Sequence, residues 1–343
     1  MAARAFITGL AGLSITASER SFLRDTQPWG LIIFKRNVSA PDQLSELTQS
    51  FRDCVGWQAP VFVDQEGGRV QRLGPPHWPV YPPGARYGEI YDRDPASGIA
   101  AARLAGHLMA ADLRPVGIDA DCLPLGDVPL PGSDQVIGDR AYGSEAGKVA
   151  ALAKAIAEGL QAGGVLPVLK HLPGHGRATA DSHHKLPVVD TDRRTLEETD
   201  FAAFRALASL PIGMTAHVVF SAFDPVAPST ASVTMVRQVI RGFIGFRGLL
   251  MTDDISMNAL SGTIAERSRA ALTAGCDLVL HCNGHMREME AVAAETPELS
   301  GESAVRADAA LAARSAPEEF DTHAARRIFA QIAGDGRTSS QRL

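Results

Sequence analysis

Residues 170–190 read KHLPGHGRATADSHHKLPVVD, a run that gathers Lys170, His171, His175, Asp181, His183 and His184. It opens at the end of an apolar stretch, Val165–Leu169, and then turns polar. Loops of about 12–15 residues without regular structure are uncommon in compact domains and are usually functional. Asp181 and His183 stand two residues apart, close enough for a carboxylate to orient an imidazole. Imidazole is the commonest acid–base group near neutral pH, so the pair suits proton transfer.

Such groups need a scaffold. Eight short apolar runs are candidate strands: Ala5–Gly9, Gly30–Phe34, Val61–Asp64, Ile118–Cys122, Val165–Lys170, Ile212–His217, Gly248–Thr252 and Asp277–His281. Most are continuously apolar, as parallel strands covered on both faces are. Helical spacing lies between them. Leu44, Leu47 and Phe51 follow a Ser39-x-x-Asp42 start signal, and Val149, Leu152, Ile156 and Leu160 run up to Gly163-Gly164. Ile264–Ala274 leads straight into the eighth strand. Eight βα repeats without a break in composition predict one (β/α)8 barrel over residues 1–335, with a disordered polar tail at 336–343. A doubly wound sheet is the alternative, but no GxGxxG follows an early strand. The N-terminal apolar run is interrupted by Gly9 and Gly12, which favours a first strand over a signal peptide.

In such barrels the chemistry sits at the C-terminal ends of the strands. Those ends carry Asp64-Gln65-Glu66-Gly67-Gly68-Arg69 with Arg72, then Asp127 and Gly138-Asp139-Arg140, Lys170-His171, His217, Thr252-Asp253-Asp254 and His281-Cys282-Asn283. Plainer roles are open to several of them. Asp64 and Asp254 could cap helices, and Gly67-Gly68 could serve only a tight turn. Arg69 could pair with Glu66. His217 and His281 could be internally satisfied, and His175 and His184 structural or solvated.

Bulk properties narrow the function. The net charge of −6 and the lack of a basic stripe speak against nucleic acid. No run of 18 apolar residues suggests a membrane span, and a cytoplasmic monomer is expected. Four scattered cysteines, Cys54, Cys122, Cys276 and Cys282, have no zinc spacing and read as reduced thiols. Retaining glycoside hydrolysis needs a carboxylate nucleophile and a proton donor flanking the bond. Asp253 is placed for the first role, and His183 oriented by Asp181 for the second. Asp64, Arg72, Arg140, Lys170 and His171 would hold the sugar. Rival readings are a Schiff-base lyase using Lys170, a metal hydrolase lacking any HxH or HExxH spacing, a sugar-binding protein, and a phosphorylase working in the same site.

Four segments carry a family likeness: VDQEGGRVQRL (63–73), GDRAYG (138–143), KHLPGHG (170–176) with DSHH (181–184), and MTDDISM (251–257). Together, and in this order, they resemble the β-N-acetylglucosaminidases of glycoside hydrolase family 3, in particular the single-domain bacterial branch that serves peptidoglycan recycling. The segment 129–136 departs from the family's wording. The resemblance implies a (β/α)8 barrel and a covalent glycosyl-enzyme on Asp253. It also implies an Asp181–His183 general acid/base on a mobile loop, and sugar contacts from Asp64, Arg72, Arg140, Lys170 and His171. The implied substrate is N-acetylglucosamine β-linked to 1,6-anhydro-N-acetylmuramic acid, with or without a stem peptide, and no cofactor is implied.

Overall fold

Eight strands pair in chain order and close on themselves: β1 (Arg4–Thr8), β2 (Pro28–Ile33), β3 (Val61–Val63), β4 (Ala120–Asp121), β5 (Leu166–Leu172), β6 (Ile212–Thr215), β7 (Leu249–Asp254) and β8 (Leu278–His281). Every neighbouring pair is parallel, and β1 returns to β8 through the register Phe6↔Val279 to Thr8↔His281. This computed structural model describes residues 3–178 and 186–333. The expected (β/α)8 barrel is therefore the observed fold, and each predicted strand is present with its ends moved by a few residues.

Side chains alternate in and out along a strand. Ile7, Ile32, Phe62, Ala120, Val168, Met214, Met251 and Leu280 fill the barrel interior, as one apolar cluster. Phe6, Leu31, Ile33, Val63, Leu169, Leu250 and Val279 face outward and pack under the helices. The barrel is a filled core, so a ligand can enter only above its top layer of side chains.

The helices follow the sequence closely. The helix after β1, Ala17–Thr26, starts on a Thr16–Glu19 capping box. Ala146–Ala162 ends at Gly163, and Ile264–Ala274 runs into β8 by way of Gly275. Pro41–Val55 departs in detail. Its N-cap is Ala40 with Pro41 in the first turn, and Ser39 Oγ donates to Gln43 Oε1 at 2.9 Å instead of capping. The C-terminal part holds two helices, Gly301–Ala312 and Thr322–Ala333. The tail expected to be disordered lies outside the described residues. All four cysteines are buried free thiols. No helix among the described residues is long and apolar enough to cross a membrane.

Candidate active site

Strand alternation explains why charge appears where it does. One step of two residues beyond the interior positions leads from Ile32 to Phe34, from Phe62 to Asp64, from Val168 to Lys170, from Met251 to Asp253 and from Leu280 to Cys282. All five of these residues line a cleft of about 290 Å³ at the C-terminal mouth of the barrel. The apolar plug thus forms the floor, and the next inward layer is where the polar groups stand.

Glu66 and Arg72 reach the cleft from a short hairpin, Gln65–Gly67 against Val70–Gln71. Its turn uses Gly67 (φ 92°) and Gly68 (φ 57°), and a Cβ at Gly67 would come within 2.4 Å of the Pro82 carbonyl oxygen. The turn reading of this pair is therefore correct. Arg140 comes from the single turn Gly138–Arg140. Asp64, Arg72, Arg140, Lys170 and His171, singled out from sequence, all line the same cleft as Asp253. Asp181 and His183, and with them His184, lie outside the described residues.

The charged groups form one network. Asp64 Oδ1 accepts from Lys170 Nζ at 2.9 Å and Oδ2 from Arg72 at 2.8 Å, so Asp64 is an ion-pair partner and not a helix cap. Glu66 accepts a two-pronged pair from Arg140, both contacts 2.8 Å, and a third from Lys170 at 2.5 Å. Burial would raise both carboxyls, yet the cations outweigh it. Asp64 lies well below the ordinary aspartate range and Glu66 is held at about 2. Burial works against the Lys170 charge, but Asp64 and Glu66 raise its pKa above the usual lysine value. A firmly protonated lysine is a hydrogen-bond donor and a poor imine-forming nucleophile, which removes the basis of the Schiff-base reading.

Glu66 corrects an expectation. Arg69 does not pair with it. Arg69 Nε bonds Asp139 at 3.1 Å and its Nη2 reaches the Val136 carbonyl at 2.8 Å, because Arg140 and Lys170 already occupy the glutamate. Glu66 should therefore be a hinge point for stability as well as binding. Glu66→Gln is expected to lower unfolding free energy by about 3–5 kcal/mol, the range for removing one partner of a buried ion pair. It should also raise KM by loosening Arg140 and Lys170. A urea titration showing a loss below ~1 kcal/mol would mean that the cations find other partners.

Asp253 is half-buried and opens onto the cleft; its Oδ1 accepts from the Asp254 amide at 2.8 Å. Burial pushes its carboxyl up, but His217, His171, the Asp254 amide and Lys170 outweigh that, and the group sits below the ordinary aspartate value. It is ionised at neutral pH. Asp254 also lines the cleft, but its carboxylate is engaged elsewhere. Its Oδ1 accepts from the Ser256 amide at 3.0 Å and the Cys282 amide at 3.2 Å, stitching the ends of β7 and β8 rather than capping a helix. Both nitrogens of His217 are engaged, with Thr230 Oγ1 at 2.7 Å and the Asp254 carbonyl at 3.0 Å. His281 Nε2 meets Glu288 at 3.2 Å, but its Nδ1 has no hydrogen-bond partner among the described residues.

Two buried acids had no sequence assignment. Asp121 Oδ1 accepts from the Gln65 amide at 3.0 Å, and burial pushes its carboxyl up to about 8, so it holds its proton at neutral pH. Asp127 bonds the His171 ring and the His175 amide. His175 is buried, which excludes the solvated reading, and burial drives its pKa down to about 4. Among the described residues no group of three or more His, Cys, Asp or Glu could hold a metal ion.

A barrel whose strand ends converge on one charged cleft, with an ionised carboxylate opening onto it, has the architecture of a barrel glycosidase. Residues 6–311 match the N-terminal domain of glycosyl hydrolase family 3, and the chain belongs to that family. A beta-hexosaminidase of Alkalilimnicola ehrlichii is 40% identical over 294 residues, covering 84% of this chain and 83% of its own. One from Bordetella pertussis is 34% identical over 336 residues, with 94% of each chain covered. NagZ of Neisseria gonorrhoeae, solved in complex with N-trifluoroacetyl-D-glucosamine, superposes with a TM-score of 0.87 at 30% identity, covering 98% of this chain and 99% of that one.

Proposed function

We propose that this chain, a β-N-acetylhexosaminidase, is a retaining exo-enzyme that removes terminal N-acetylglucosamine from small cell-wall fragments in the cytoplasm. The substrate we favour is N-acetylglucosamine β-linked to 1,6-anhydro-N-acetylmuramic acid, with or without a peptide. The observation that carries the reading is an ionised Asp253 in the upper inward layer of a cleft lined by Asp64, Arg72, Arg140, Lys170 and His171. The small cleft volume suits one sugar ring at a chain end rather than a threaded polymer.

In this reading Asp253 attacks the anomeric carbon as the bond to the leaving oxygen breaks. His183 supplies the proton to that oxygen, with Asp181 fixing its ring. Water then attacks the glycosyl-aspartate, gives its proton to His183 and frees Asp253, so that two inversions return the β-anomer. Charge-assisted bonds from the network hold the hydroxyl and N-acetyl groups during both steps.

The test is hydrolysis of 4-nitrophenyl β-N-acetylglucosaminide in water, with and without phosphate, followed by NMR. Free sugar appearing first as the β-anomer supports the reading. N-acetylglucosamine 1-phosphate as the main product would convert it to a phosphorylase, and equal rates on the β-glucoside would overturn the sugar assignment.

A further inference from the structure

Asp127 is fully buried at the top of the barrel, in the segment after β4, and spends both oxygens on one short piece of chain. Oδ2 lies 2.7 Å from His171 Nδ1. Oδ1 accepts from the His175 amide at 2.7 Å and more weakly from the His171 amide at 3.4 Å. Around it the same two segments are tied by backbone. The Gly126 amide donates to the Lys170 carbonyl at 2.7 Å, and the Asp134 amide to the Ala178 carbonyl at 2.8 Å. Gly176 lies so close that a Cβ there would come within 2.2 Å of the Val128 carbonyl oxygen. Gly176 is thus a packing glycine in a tight turn.

We propose that Asp127 is a positioning residue for the sugar site: it fixes the His171 ring with its proton on Nδ1 and anchors the chain that leads to Asp181 and His183. The inference rests on the functional reading above. An ionised carboxylate only accepts, so the hydrogen between it and the ring belongs to Nδ1. His171 lines the cleft; in a neutral ring with its proton on Nδ1, the other nitrogen, Nε2, carries the lone pair to which a sugar hydroxyl can donate. The tautomer decides whether the ring accepts from the sugar or repels its donor.

Asp127→Asn tests this directly. The amide oxygen of Asn takes over the His175 amide, which can only donate, and the NH2 group then faces Nδ1. The ring must move its proton to Nε2. In ¹⁵N NMR of histidine-labelled protein we expect the wild-type His171 to be protonated on Nδ1 and the variant on Nε2. In the same variant kcat/KM for an activated aryl β-N-acetylglucosaminide should fall about ten- to a hundredfold, with KM rising. An unchanged tautomer with kcat/KM within about twofold would overturn the proposal, since a merely structural aspartate would move neither readout in this way. Should the variant fail to fold, the wild-type spectrum alone decides, because protonation on Nε2 alone there contradicts it. If the wild type cleaves no β-N-acetylglucosaminide, the functional reading falls while the tautomer result stands by itself.

Discussion

Asp253→Ala should lower kcat by roughly 10⁴-fold or more, the scale seen when a covalent nucleophile is removed. The fold should survive. Asp253 is half-buried, and among the described residues its carboxylate is bonded by the next residue's amide and by no ion-pair partner, so truncation opens no cavity in the core. A slow fluorinated N-acetylglucosaminyl substrate should label this residue, located by peptide mapping. The neighbour makes the test sharp. Asp254 has its oxygens engaged by Ser256 and by the Cys282 amide, so it is held away from nucleophilic work. A label on Asp254 would refute the assignment, and with it the covalent route through Asp253.

The second large effect is expected at His183. Removing a general acid typically costs about 10²–10⁴-fold. His183→Ala should therefore cripple cleavage of natural disaccharides, whose leaving oxygen needs a proton. It should spare the first step on aryl glycosides with activated leaving groups. On those substrates the glycosyl-enzyme should accumulate, giving a burst of aryl alcohol followed by slow turnover. Added azide, a nucleophile that needs no base, should restore turnover and yield the β-glycosyl azide. Asp181→Asn should show the same pattern in weaker form, and His184→Ala should not. Equal losses on activated and natural substrates would count against His183 as the acid.

The barrel was legible because its strands are buried on both sides. Runs such as Leu31–Ile33 and Leu249–Met251 have no polar face to disguise them. The active-site layer was also legible, by a simpler signal than the motifs. Met251 points inward, so Asp253 must as well, and the same parity carries Val168 to Lys170 and Phe62 to Asp64. The ion-pair partners were not legible. Glu66 is closed by Arg140, 74 positions on, while Arg69, three residues away, goes to the turn around Asp139. Nearness in sequence favoured the wrong arginine because Glu66 is already occupied by Arg140 and Lys170, which arrive from distant segments. Asp121 was missed, and Asp127 was named only as a strand-end residue without a role, for a related reason. A buried acid is recognisable only from what surrounds it, and their partners at Gln65, His171 and His175 are contributed by other strand ends.

The pairing of β1 with β8 has a consequence for how the molecule is made. Phe6 and Val279 are neighbours in the barrel but lie at opposite ends of the sequence. The Ala5 amide donates to the Pro297 carbonyl, and the Leu299 amide to the Ala3 carbonyl, which ties that seam further. On a ribosome adding roughly 5–20 residues per second, the first strand must wait many seconds with an unpaired apolar edge. Contacts of such long sequence separation also slow folding, because the chain loses entropy before they reward it. Asp64 follows β3, Lys170 stands on β5 and Asp253 on β7, so their charges come together only as the ring assembles. Nascent chains stopped short of β8 should therefore be inactive and sticky, and chaperone demand should fall on the N-terminal strands rather than on the late helices.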